Sequence, residues 1–186
     1  MLRIAIIIGS TRPGRNGEVV AQWAYDTARQ RGDADFEVID ITQFNLPLLD
    51  EPMPAMFGQY SNDHTRAWSA KIASFDGYVF VTPEYNHSTS AALKNAIDFL
   101  YHEWNNKAAG FIAYGGTMGA RAVENLRLVM AELQVATVRA QVGLSLFTDF
   151  ENFTVFKPAE MQQKNVNGML DQVIAWSGAL KPLRNK

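Results

Sequence analysis

The sequence predicts an α/β three-layer sandwich: a five-stranded parallel sheet in the order 2-1-3-4-5 with helices on both faces. Three observations carry this. Apolar runs of strand length alternate strictly with helix-length periodic segments. The first run is continuously apolar, as in a strand buried on both faces. Five such runs occur, and strict alternation is solved most simply by parallel strands with right-handed crossover helices.

In order along the chain, Leu2 to Ile8 is an apolar run broken only by Arg3. From Gly17 to Arg31, Val20, Trp23, Ala24, Thr27 and Ala28 recur at helical spacing, and Gly32 ends the pattern. Phe36 to Ile41 is the second strand. Residues 42–63 form a long irregular connection carrying Pro47, Pro52 and Pro54. Ala67, Trp68, Ile72 and Phe75 mark a helix, and Tyr78 to Val81 the third strand. A helix from about Ser90 to Trp104 leads to the strand Ala109 to Tyr114. Ala120 to Leu133 is helical and Thr137 to Val142 is the fifth strand. An aromatic-rich stretch precedes a last helix from about Pro158 to Leu180. Five strands fit the flavodoxin-like order better than the six-stranded dinucleotide fold. Residues 1–186 read as a single domain of that kind.

Composition narrows the function. The chain has 47% apolar and 19% charged residues and a net charge of −2. That charge offers no basic footprint for nucleic acid and no polybasic face for a membrane. No apolar run approaches the roughly 18 residues that span a bilayer. Met1-Leu2-Arg3-Ile4 reads as a strand start rather than a leader peptide, so the expected location is cytoplasmic. There is no cysteine. Disulfides and thiolate chemistry are excluded, and redox chemistry must come from a bound cofactor.

In such sheets ligands sit beyond the carboxyl ends of the strands, near the switch in strand order. This nominates three loops: residues 9–17, 82–90 and 114–120. The first, Gly9-Ser10-Thr11-Arg12-Pro13-Gly14-Arg15-Asn16-Gly17, has the composition of an anion cradle at a helix start. Ser10 and Thr11 bring hydroxyls, Asn16 an amide, and Arg12 and Arg15 full charges. Gly9 and Gly14 have Walker A spacing, but Arg15-Asn16 replaces the required Lys-Ser/Thr. The dinucleotide glycine pattern also fails, which removes weight from Asp40 as a ribose-binding acid. A single terminal phosphate suits what is left, and FMN is the commonest such cofactor on this fold. The plainer reading is a Gly/Pro-rich turn with solvated arginines. Two arginines at a helix start oppose the dipole unless an anion is present.

The second loop, Thr82-Pro83-Glu84-Tyr85-Asn86-His87-Ser88, could offer an isoalloxazine ring the Tyr85 surface and the backbone amides of Glu84 to Asn86. Alone, it could equally be an ordinary turn with Asn86 left-handed. The third, Gly115-Gly116-Thr117-Met118-Gly119, precedes a helix whose N-terminus would stabilise negative charge on a reduced flavin.

These segments resemble the NADPH-dependent FMN reductase family, flavodoxin-like reductases of FMN, quinones, azo dyes and chromate. The resemblance lies in Gly9-Ser10-Thr11-Arg12 with Arg15-Asn16-Gly17, Pro83 to Ser88, Leu93-Lys94-Asn95-Ala96-Ile97-Asp98, and Tyr114-Gly115-Gly116 with Gly119-Ala120-Arg121. It implies that Ser10, Arg12, Arg15 and Asn16 bind the phosphate, with Thr11 and Gly17 in the same cradle. Pro83, Glu84, Tyr85 and Asn86 would hold the ring, and Tyr114, Gly115, Gly116 and Thr117 would face its pyrimidine edge. NADPH or NADH would give hydride to FMN, and a small acceptor (free flavin, quinone, azo dye or chromate) would take it in ping-pong order. No catalytic side chain or metal is then required. Homodimers or homotetramers are implied, with sites often completed across the interface. Where many relatives have Pro-Gly, this chain has Ser90-Ala91, so the local turn can differ. The competing reading is a one-electron carrier, against which the modest net charge argues; a hydrolase lacks an evident nucleophile and base.

Other features are set lower. His64, His87 and His102 lack metal-ligand spacing, and His87 stands beside the ring loop. Glu84 is assigned backbone contact or a cross-subunit bond rather than catalysis. Asp98 and Glu103 are placed on the third helix as polar or interface residues. Met53, Met56, Phe57 and Tyr60 read as core cover or, second, as a substrate lid. Phe147, Phe150, Phe153 and Phe156 are expected to be buried against a partner or the helix layer.

Overall fold

The computed structural model describes residues 1–184. Strands β1 (Arg3–Ile8), β2 (Asp35–Asp40), β3 (Gly77–Pro83), β4 (Lys107–Gly115) and β5 (Val135–Ser145) form one parallel sheet in the order β2-β1-β3-β4-β5. The crossovers carry α1 (Gly17–Ala28), α2 (Asp63–Ala73), α3 (Ala91–Asp98) and α4 (Ala120–Glu132), and α5 (Glu160–Leu180) closes the fold. A short hairpin, β6 (Phe150–Glu151) with β7 (Val155–Phe156), interrupts the approach to α5. The expected topology is the observed one. Among the described residues no helix is long and apolar enough to cross a membrane.

Side chains of a strand alternate between faces, so each central strand feeds two cores. Ala5, Ile7, Tyr78, Phe80, Ala109 and Phe111 pack under α2, α3 and α4. Ile4, Ile6, Val79, Val81 and Ile112 pack under α1 and α5. Continuous apolar runs are the consequence of having no solvent face.

Two elements differ from expectation. The third helix stops at Asp98, and Phe99, Leu100 and Trp104 reach the core from turns instead. Glu103 ties these turns down: its carboxylate accepts the Tyr101 N–H (3.3 Å), the Ser69 hydroxyl (2.5 Å) and the Tyr60 hydroxyl (2.9 Å). It is a structural hub off the helix, and it half-buries Tyr60. Met53, Met56 and Phe57 stay exposed. The four phenylalanines also divide. Phe150 is buried against Tyr114 and Phe156, and Phe156 meets Trp23 of α1, but Phe147 and Phe153 are exposed.

At the amino end of the sheet, Lys107 is buried without a carboxylate partner among the described residues. Its ammonium donates to the Ile72 and Ala73 carbonyls (3.2 and 3.3 Å) and the Tyr78 hydroxyl (2.9 Å). Burial first, and the Arg184 guanidinium second, bring its pKa from the ordinary 10.5 down to about 7. The folded value lies below the unfolded one, so the unfolded chain binds the extra proton between them. Stability from this group therefore rises with pH from about 7 to 10.5. The unfolding free energy of the wild type relative to Lys107→Met is expected to climb across that window. A pH-independent difference in denaturant titrations would contradict it.

Candidate functional site

The parallel register brings the three nominated loops to one edge. Gly9 is pressed against β3 and α3: a Cβ there would stand 2.6 Å from Leu93 Cδ2 and 3.0 Å from the Val81 carbonyl. Ser90 caps α3 by accepting the Leu93 N–H (3.1 Å) and donates to the Gly9 carbonyl. The Ser90-Ala91 departure thus fastens the first loop to the helix after the second. Ser10 is buried, its hydroxyl 3.1 Å from that of Tyr85. Among the described residues the N–H groups of Thr11, Asn16 and Gly17 meet no acceptor in the chain.

The two arginines part company. Arg15 is nearly buried and committed: Nη1 donates to the Ser10 carbonyl (2.7 Å), and Nη2 meets Asp40 Oδ2 and Glu18 Oε1 (2.5 Å each). It braces the loop instead of facing out of it. Arg12 has no ion pair among the described residues, and its guanidinium lies 6.0 Å from the Tyr85 ring centroid. Asn16 is nearly buried, and its Nδ2 donates to the Phe153 carbonyl (2.9 Å), tying the hairpin to the cradle.

The second loop is a tight turn with Asn86 (φ 48°) and His87 (φ 75°) both left-handed. The Tyr85 and Ser88 N–H groups exchange bonds across it (2.9 and 3.1 Å), and the Glu84 N–H donates to the Tyr114 carbonyl (3.0 Å). Of the three amides expected to serve a ring, two are thereby consumed. Only that of Asn86 stays without a partner among the described residues.

Gly119 shapes the third loop. Its φ of 67° favours glycine, and a Cβ would come within 2.5 Å of Ala113 Cβ. Glu84 then clamps this loop from the second. It accepts the Thr117 hydroxyl (3.1 Å) and the Arg121 N–H (3.1 Å) and pairs with the Arg121 guanidinium (2.6 Å). Burial opposes its charge, but these hydrogen bonds prevail and hold the carboxyl below the ordinary carboxylate value. Glu84 is therefore an ionised brace. The amides of Gly116 and Thr117 are unpartnered among the described residues. Gly115 lies against Glu84, where a Cβ would stand 3.2 Å from the Glu84 Cβ, and Phe147 flanks Gly116.

The Tyr114 side chain turns into the core under the first loop. Its hydroxyl is buried without a partner among the described residues, beside Gly17. Burial first, then the Tyr85 hydroxyl, push its pKa up. A cleft of about 250 Å³ remains, lined by Arg12, Asn16, Pro83, Glu84, Tyr85, Tyr114, Gly115, Leu146, Phe153 and Thr154. Thr11 faces another cavity. Sequence reasoning missed Asp40 and Arg121 as braces, and Leu146, Phe153 and Thr154 as walls. A cation in the first turn of α4, where the dipole opposes it, signals a hidden carboxylate partner.

A family model described as NADPH-dependent FMN reductase matches residues 2–149. An NAD(P)H-dependent FMN reductase of Nectria sp is 42% identical over 159 residues, covering 80% of this chain and 79% of that protein. Another of the same description, from Schizosaccharomyces pombe, is 35% identical over 184 residues, covering 98% and 85%. The flavoenzyme NAD(P)H:(acceptor) oxidoreductase FerB of Paracoccus denitrificans superposes with a TM-score of 0.76 at 20% identity, covering 96% and 98%. That likeness shows the fold.

The clamp makes a testable claim. Charge-assisted hydrogen bonds contribute about 1.5–3 kcal/mol, less where a partner is half exposed, as Arg121 is. Glu84→Gln is expected to cost about 1 kcal/mol in unfolding free energy and to speed amide hydrogen exchange over residues 116–121. Unchanged exchange would mean that the glycines alone set this loop.

Proposed function

The chain belongs to the NADPH-dependent FMN reductase family, and from that premise we propose that it is an NAD(P)H oxidoreductase that holds FMN in the cleft between its three carboxyl-edge loops. One observation carries the reading: among the described residues, the three loops that border one cleft carry unpartnered backbone amides, and Arg12 lines that cleft without an ion pair. The residues fit the cofactor. The Thr11, Asn16 and Gly17 amides with Arg12 suit a phosphate, and the orphaned Tyr114 hydroxyl lies beside that cradle. Tyr85 and Pro83 offer the ring a surface, and the Asn86, Gly116 and Thr117 amides offer its polar edge donors.

When bound there, FMN supplies two-electron exchange at ring N5 between NAD(P)H and a small acceptor, in ping-pong order. The chain's part is placement and electrostatics. Arg12 and the loop amides anchor the anionic end. Arg15 positions that loop through Ser10, Asp40 and Glu18. The Gly116 and Thr117 amides, near the start of α4, stabilise negative charge at the ring's pyrimidine edge. Glu84 holds that loop in place with both carboxylate oxygens committed to Thr117 and Arg121, and its role is that of a brace rather than a proton acceptor. Free flavin, quinones, azo dyes and chromate are the acceptor classes proposed. The exposed Met56, Phe57, Phe147 and Phe153 support a homodimer or homotetramer.

Purified chain is expected to bind FMN, and anaerobic NAD(P)H to bleach its visible absorption, with recovery on adding a quinone. FMN that binds yet stays oxidised under NAD(P)H would instead favour the one-electron carrier. Arg12→Ala is expected to raise the FMN Kd about tenfold to a hundredfold, the scale of one charge-assisted contact. Arg15→Ala is expected to raise it less while loosening amide exchange at residues 10–16. An Arg12→Ala affinity equal to wild type would remove Arg12 from the site.

A further inference from the structure

A larger cavity than the proposed flavin cleft opens on the same edge. About 470 Å³ lies between Thr11, the 41–48 segment and the first half of α3. Ile41, Leu46, Leu48 and Ala92 give it apolar walls, and Thr11 and Asn45 add polar groups.

This cavity is built, although one wall is irregular chain. Asn95 of α3 donates Nδ2 to the Pro47 carbonyl (2.6 Å) and accepts the Leu49 N–H at Oδ1 (2.9 Å), pinning the segment open. Asp40 accepts the Thr42 N–H with Oδ1 (3.0 Å) and holds Arg15 with Oδ2 (2.5 Å). One carboxylate thus couples the cavity wall to the phosphate cradle, and Thr11 of that cradle lines the cavity itself.

Resting on the function proposed above, a nicotinamide coenzyme must bring its nicotinamide to the ring and lodge its other end on this protein. That end is a purine nucleoside: flat apolar faces, a polar edge and a sugar. Apolar walls with amide and hydroxyl groups suit it. Among the described residues no Lys, Arg, Asp or Glu lines the cavity, whereas reading a ribose 2′-phosphate calls for an arginine. We infer that the cavity beside Thr11 receives the adenosine end of the coenzyme and leaves the 2′-phosphate unread, so that NADH and NADPH serve about equally.

The test uses the FMN-loaded protein. Ala92→Trp fills the cavity from a half-buried position. It is expected to raise KM for NADH and NADPH together, by about tenfold or more. Reduction by reduced nicotinamide mononucleotide, which lacks adenosine, should keep its rate, and the FMN Kd should not move. Leu48→Arg, at an 84% exposed position where folding is not at risk, is expected to create an NADPH preference of about tenfold by offering the phosphate a cation. Several results would overturn the inference: neither variant altering either coenzyme's KM, equal losses with the mononucleotide, or strong wild-type preference for one coenzyme. A changed oligomeric state for Ala92→Trp would make the cavity an interface between copies, also overturning it. Failure to bind FMN is read separately, by flavin fluorescence, and would strike the function proposed above instead.

Discussion

Two arginines stand where helix dipoles repel them, and two carboxylates from other loops hold them there. Arg15 immediately precedes the cap of α1, and Arg121 lies in the first turn of α4. Asp40, at the end of β2, neutralises the first, and Glu84, just after β3, the second. Each ion pair spans two crossover connections, so the pairs act as staples between loops that share no backbone ladder. With these charges cancelled, Arg12 is left as the uncompensated cation of the cradle. The cleft consequently has one end marked by Arg12, the only cation among its lining residues, and another bordered by loops whose Asn86, Gly116 and Thr117 amides are unpartnered among the described residues, a polarity that suits a ligand with one anionic terminus.

The fold was legible because parallel strands buried on both faces leave unbroken apolar runs. The carboxyl-edge rule then located the three loops from topology alone. Which side chains would meet across those loops was not legible. Arg15 reaches Asp40 because β1 and β2 pair with Ile8 opposite Asp40. Glu84 reaches Thr117 and Arg121 because Pro83 lies opposite Tyr114. Register decides both contacts, and hydrophobic periodicity carries no register. Composition therefore showed that the first loop could hold an anion, while the structure showed that one of its two arginines was already spoken for.

Where side chains bond to backbone, sequence patterns misled or stayed silent. Phe99, Leu100 and Trp104 keep nearly helical spacing, yet the chain there is turns, which Glu103 fastens by capturing the Tyr101 N–H and two hydroxyls. The wall at 45–49 has no period at all; Asn95 makes it. Asn152 and Phe153 both adopt positive φ at the hairpin tip, which exposes Phe153 and lets its carbonyl take Asn16. A count of phenylalanines gives no sign that the four would divide into a pair packed into the core layer, Phe150 buried and Phe156 half-buried, and an exposed pair.

The division of labour between the two cavities bears on specificity. In the proposed ping-pong order, one ring face would serve two partners of very different size. The smaller partner would meet the apolar walls of the ring cleft, Leu146, Phe153 and Tyr85, with Phe147 packed edge-to-face on Phe153 (5.6 Å between centroids). Such a surface would favour flat acceptors, and with few directional hydrogen bonds from these walls it would discriminate little among acceptors. On the inference above, a dinucleotide would in addition use the cavity beside Thr11. Recognition of a dinucleotide donor and tolerance toward the acceptor would then arise from the same edge of the sheet. Asp40 ties the cradle to the cavity wall by holding Arg15 with one oxygen and the Thr42 N–H with the other, so the donor's two ends would be set against one shared brace.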